Sequence, residues 1–244
     1  MATLVLAIET IGNDWDSFAE SAKESLVKSH LKYSELTTEH LEIAEHKQRL
    51  LDKLSLSPFT GQIISLAMYD IERDLGAVYF VSDNETGSFV DDYFTYKVRT
   101  EQEIIEDFWE GANSYDTFVT FNGRSFTLPF LYQRSAVHKI KPTVEIAKER
   151  SVLRQALPYH VDLLDEMTWQ GNMPTRPTLA VLANAYGVAY RPECGGEAVA
   201  EFFRQKKFRH LAHRNATNVT TITTLYKIWK QYLAPIAFIN TLEM

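Results

Sequence analysis

Three places in the 244-residue chain carry side chains that could do chemistry. Glu9 closes a compact apolar run at residues 3–10, TLVLAIET, which suits a central strand. Alone, it reads as a solvated strand-end carboxylate. Residues 117–131, TFVTFNGRSFTLPFL, open as a short buried strand rich in β-branched and aromatic side chains. Asn122-Gly123 stops that strand, and a helix restarts near Thr127 with Pro129 tolerated in its first turn. A strand that hands over to a helix in this way presents side chains at the carboxyl edge of a sheet, where α/β proteins build sites. On pattern alone it is equally an ordinary buried βα unit. Residues 195–214, GGEAVAEFFRQKKFRHLAHR, carry Arg204, Lys206, Lys207, Arg209 and Arg214, the strongest basic cluster in the chain. Such a run either contacts phosphates or is a solvated helix face.

The elements that must position these residues follow in order. Residues of about 14–54 alternate charges of both signs with spaced apolar residues, which reads as a largely exposed helical insertion of two helices broken near 34–38. Its His30, His40 and His46 lack a shared ligand spacing and read as surface residues. Residues 62–71 and 76–82 read as an antiparallel hairpin, with a further strand at 93–98. Residues 101–115 form an amphipathic helix that leads into the strand at 117. The helix after Leu131 continues through about His138, with Arg134, Lys139 and Lys141 on or near it. Residues 160–165, HVDLLD, are a short apolar run with two acidic residues and read as structural, and 177–187 as a helix with a glycine C-cap. Another helix runs from the basic cluster's end to about Leu233.

The length is ample for one continuous core, and we expect a single domain over 1–244 that includes the insertion. No apolar run approaches membrane-spanning length, and the amino terminus lacks a basic leader region, so the sequence reads as soluble, without membrane contact. A lone cysteine, Cys194, cannot form an internal disulfide and fits a reducing, cytoplasmic setting. The N-x-S/T matches at Asn84, Asn215 and Asn218 then read as chance. A net charge of −7 argues against wholesale polyanion binding, so any nucleic-acid contact must use a local basic patch.

Three segments resemble the motifs of ribonuclease-H-like 3′–5′ exonucleases, specifically relatives of the B-family DNA polymerase proofreading domain. Ala7-Ile8-Glu9-Thr10 is similar to the first motif, D-I-E-T. FNGRSFTLPFL is similar to the second, FNG-x-x-FD-x-P, with Thr127 at the aspartate. From Arg214 the chain is similar to the third, Y-N-x-x-DV-x-T-x-x-LY-x-x-W. Val219, Thr221, Leu225, Tyr226 and Trp229 match, Asn218 stands at the aspartate and Arg214 at the tyrosine. HVDLLD and Gly195-Gly196 with Val199 also resemble family segments. His213 has the spacing of the histidine in a related branch, yet it reads as a surface residue because the rest of the motif fits the tyrosine branch.

The resemblance implies a mixed sheet flanked by helices, in the order strand, hairpin, helix, strand, helix. It also implies a four-carboxylate site for two Mg²⁺ or Mn²⁺ ions, with a metal-bound water attacking the terminal phosphodiester. Hard divalent cations about 4 Å apart require several charged oxygens. Here the four positions are Ala7, Glu9, Thr127 and Asn218, so one carboxylate is left and Glu9 is at most a weak metal ligand. Each lost charged ligand weakens the cluster by about a few kcal/mol, so no cofactor and no nuclease activity are expected. Three readings stay open. A degenerate cleft could bind single-stranded DNA or RNA ends through Asn122, Arg124, Phe126, Leu128, Lys206, Lys207 and Arg214. The helices at 14–54 could instead serve as a protein-interaction surface. The chain could also be a deliberately inactivated form of an active exonuclease.

Overall fold

The computed structural model describes residues 1–36, 43–146 and 148–243; the side chains of residues 30–47 and 243 lie outside the description. The reading of His30, His40 and His46 and part of the expected break at 34–38 therefore fall outside the described residues and side chains. All but the last residue of β1 (Thr3–Gly12) are buried, because the strand lies mid-sheet with helices on both sides. Helices α1 (Glu20–Leu36) and α2 (Ile43–Leu54) follow it. Leu50 and Leu54 of α2 are buried, and Gly12 lets Leu54 approach β1: an added Cβ there would lie 2.7 Å from the Leu54 Cβ.

The sheet continues through β2 (Gly61–Asp70), β3 (Leu75–Phe80), β4 (Ser88–Asp91) and β5 (Phe94–Val98). Helix α3 (Glu101–Ala112), opened by a Thr100/Glu103 capping box, leads to β6 (Thr117–Thr120) and α4 (Thr127–Val137). The order across the sheet is β4-β5-β3-β2-β1-β6-β7. β1 is antiparallel to β2 and parallel to β6, and β6 is parallel to β7 (Tyr159–Asp162). This is the mixed, helix-flanked order that the resemblance implies, with the helical insertion after the first strand.

Four short elements escape the sequence patterns. Residues 160–165 split into the edge strand β7 and helix α5 (Leu163–Met167), and β4 and α9 (Ile236–Glu243) have no counterpart in the expectations. After α6 (Leu179–Ala185), the basic run divides between α7 (Val199–Arg204) and α8 (Phe208–Tyr232), with Lys206 at φ +57 between them. Along β1 the period-2 alternation sorts residues between two layers. Val5 and Ala7 face the core that includes Ala212, Ala216, Val219 and Ile222 of α8, while Leu4, Leu6 and Ile8 face α3 and α4. Glu9 follows Ala7 on the α8 side. The register shifts between Glu9 and Thr10, and such irregularities re-aim side chains beside sites.

Candidate functional site

Helix α8 supplies the groups that meet Glu9. Positions 214 and 218 share a helix face, and both side chains reach the Glu9 carboxylate. Arg214 Nε lies 2.9 Å from Glu9 Oε1, and the Asn218 amide Nδ2 donates to the same oxygen at 2.9 Å. The Arg214 Nε–H has no well-aimed acceptor, so this contact is Coulombic more than directional. The guanidinium also donates through NH1 to the Cys194 carbonyl, and Tyr190 Oη donates to Asn218 Oδ1 at 2.9 Å. One turn before Asn218, Asn215 Nδ2 donates to the Ala7 carbonyl at 3.2 Å and to Ser65 Oγ at 3.1 Å, which clamps α8 against β1 and β2.

Glu9, Arg214 and Asn218 are all buried. Burial pushes the Glu9 carboxyl above the usual carboxylate range, opposed first by the adjacent Arg214 guanidinium and then by the Asn218 hydrogen bond. The site thus contains one carboxylate with its own internal cation. Glu9 Oε1 is shared by the Arg214 cation and the Asn218 donor, the Asn218 oxygen is occupied by Tyr190, and Ala7 offers only a methyl group. This donor set does not fit a pair of divalent ions. Among the described residues, no group of three or more His, Cys, Asp or Glu side chains could hold a metal.

Thr127 enters from the other layer, as the first residue of α4, and is buried. Among the described contacts none joins it to Glu9. The turn before it is fixed by its own sequence. Asn122 adopts φ +57, which asparagine tolerates, and a Cβ at Gly123 would lie 2.0 Å from Thr120 Oγ1. Asp162 ties the turn down, accepting from the backbone N–H groups of Asn122 at 2.8 Å and Arg124 at 2.9 Å. Beneath it His160, fully buried, contacts Thr120 Oγ1 at 2.8 Å; burial first, then the Arg124 charge, push the imidazole down to about 3.

The other expected contact residues are placed as follows. Arg124 binds Asp165 at 3.2 Å and the carbonyls of Lys148 and Glu149 at 3.1 Å each, which commits most of its guanidinium internally. Leu128 is buried in the α3–α4 core, and Phe126 is half-buried with its ring 4.9 Å from Phe130. Arg214, expected to face a phosphate, points inward to the countercharge of Glu9. Lys206 pairs with Asp83 at 2.8 Å and Lys207 lies over the Phe202 ring at 4.8 Å, both exposed. Arg209 pairs with Glu85. His213 sits against Tyr96 Oη at 3.2 Å and Asp91 at 3.7 Å and is half-buried rather than at the surface.

Tyr190, Ser65 and the Cys194 carbonyl were not readable as site members. Tyr190 lies outside any helix or strand, where no periodicity singles it out. Arg150 and Arg176, which join Arg124 on Asp165, also come from loops.

Comparison with known proteins places this geometry in context. A family model described as a predicted 3′–5′ exonuclease related to the exonuclease domain of PolB matches residues 75–234. Among solved structures, the family B DNA polymerase of the hyperthermophilic archaeon Pyrobaculum calidifontis is similar, with a TM-score of 0.57 at 16% identity over 93% of the chain. That identity carries the fold alone. The chain spans about a quarter of the polymerase, 24% of its length. No curated protein matches.

Proposed function

Because the chain belongs to the predicted 3′–5′ exonucleases related to the exonuclease domain of PolB, we propose that it is a non-hydrolytic member that binds single-stranded nucleic acid ends. The observation that carries this reading is the Glu9–Arg214 pair at 2.9 Å, reinforced by Asn218. A divalent ion held by Glu9 would share its carboxylate with the guanidinium, and +2 against +1 at about 4 Å costs about 8 kcal/mol at an effective dielectric of about 20. Among the described residues no group of three or more His, Cys, Asp or Glu side chains gathers to offset it. Without metal there is neither a Lewis acid nor an activated water, and the residues in contact with Glu9 supply no replacement nucleophile.

The role that this chemistry leaves is recognition of a strand without cutting it. The test is incubation with 5′-labelled single-stranded DNA and RNA in Mg²⁺ or Mn²⁺. The expected result is intact strands that are retained in a salt-sensitive complex. Trimming that chelator and Glu9→Ala both abolish would overturn the inactive reading. Absence of any complex at low salt would remove the binding role and favour a protein-interaction scaffold.

A further inference from the structure

We infer that Trp169, Arg150 and Arg176 form a contact surface for single-stranded nucleic acid, organised by the buried carboxylate of Asp165; this rests on the binding role proposed above. Asp165 has a side chain only 3% exposed, yet three guanidinium groups converge on it. Arg124, 17% exposed, is the inner one. Arg150 binds it with Nε at 3.1 Å and NH2 at 2.8 Å, and Arg176 reaches both Asp165 Oδ1 and Asn122 Oδ1 at 3.5 Å. Arg150 and Arg176 are 46% and 48% exposed, so roughly half of each faces outward.

The three cations converge on Asp165, with the negative charges of Asp162 and Glu166 acting at longer range. The outward halves of Arg150 and Arg176 therefore have no carboxylate in contact other than Asp165 among the described ion pairs. Restrained guanidinium groups with outward N–H donors suit phosphate, because less freedom is lost when the bond forms.

The same aspartate shapes the next loop. Its backbone carbonyl accepts from Thr168 at 3.3 Å and from Gln170 at 2.6 Å. Trp169, Gln170 and Gly171 then take φ values of +52, +56 and +78, a conformation that bulky residues avoid. Asn172 holds the turn through its backbone N–H and side chain on the Trp169 carbonyl. Gly171 lies against Arg150: an added Cβ would be 3.0 Å from its NH2.

The outcome is an indole 68% exposed on the loop that abuts Arg150. A single exposed apolar residue is unremarkable in itself. Here the chain holds a tryptophan outward in an unfavourable backbone conformation, on the loop whose Gly171 lies against Arg150. A base stacking on an indole and phosphates meeting arginines is the common chemistry of single-strand binding.

The test uses the full chain and labelled oligo-dT and oligo-U at several salt concentrations. Trp169→Ala should weaken binding about tenfold. Arg150→Ala with Arg176→Ala should weaken it and flatten the salt slope by about one unit for each phosphate no longer neutralised. Unchanged thermal unfolding of Trp169→Ala excludes a folding effect, and Arg150→Lys should retain part of the salt slope. If the wild-type chain binds neither oligonucleotide, the binding role and this surface fall together. If it binds while these variants bind as tightly as wild type, the surface alone falls. Weaker binding by Lys206→Ala with Lys207→Ala would then locate the strand on the basic run instead.

Discussion

Arg214 Nε stands 2.9 Å from Glu9 Oε1, with both side chains only 10% exposed. The pair couples the end of the central strand to the longest helix and makes the fold its own counter-ion. A buried pair of this kind costs about as much in desolvation as it returns in attraction. Removing either half is another matter.

Arg214→Ala should therefore destabilise the chain by about 3–5 kcal/mol near neutral pH, because Glu9 is left buried without a cation. Burial then acts on Glu9 with only the Asn218 hydrogen bond opposing it, and its folded-state value rises further. The folded variant holds a proton that the unfolded chain has released, so its stability falls as pH rises above the ordinary carboxylate range. Urea unfolding at pH 5 and pH 8 reads this difference. Glu9→Gln with Arg214→Met should recover most of the stability, and an Arg214→Ala variant as stable as wild type at both pH values would refute the pairing argument.

Ala7→Asp, Thr127→Asp, Asn218→Asp and Arg214→Tyr together should create a Mn²⁺ site around Glu9. Each aspartate variant alone should bind nothing measurable, since two charges cannot hold two divalent ions. Calorimetric titration with Mn²⁺ distinguishes the two. A folded quadruple variant that takes up no Mn²⁺ at millimolar concentration would show that these four positions do not converge.

Glu166 offers a pH prediction independent of Glu9. Burial pushes its carboxyl up to about 7, with Arg124 opposing and Asp165 and Asp162 adding to the rise. The contribution of the protonated fold is full below the ordinary glutamate range and is lost as pH climbs through about 7. Glu166→Gln should flatten that decline. Denaturant midpoints from pH 4 to pH 8 for both proteins check it, and parallel curves would sink the assignment.

Much of the frame was readable because it is local. The buried run of β1, the strand-turn-helix at Asn122-Gly123 and the amphipathic α3 each repeat a pattern over enough residues, or use a special enough residue, to declare themselves. The four-residue strands β4 and β7 do not. They are too short for periodicity, and β7 exists because β6 offers it a partner from Thr117↔Tyr159 to Thr120↔Asp162.

The sequence alone determined that positions 7, 127 and 218 carry no carboxylate, and hence what chemistry they cannot do. Only the tertiary structure decided where the remaining charges go. Arg214 ends a basic run that reads as a surface patch, yet the helix face it occupies is turned to Glu9, while Lys206 and Arg209 meet Asp83 and Glu85 from the β3–β4 connection. Asn218 and Glu9 are 209 residues apart in the chain and hydrogen-bonded in the fold. A charge's partner is set by three-dimensional proximity and desolvation, and neither is a property of sequence spacing.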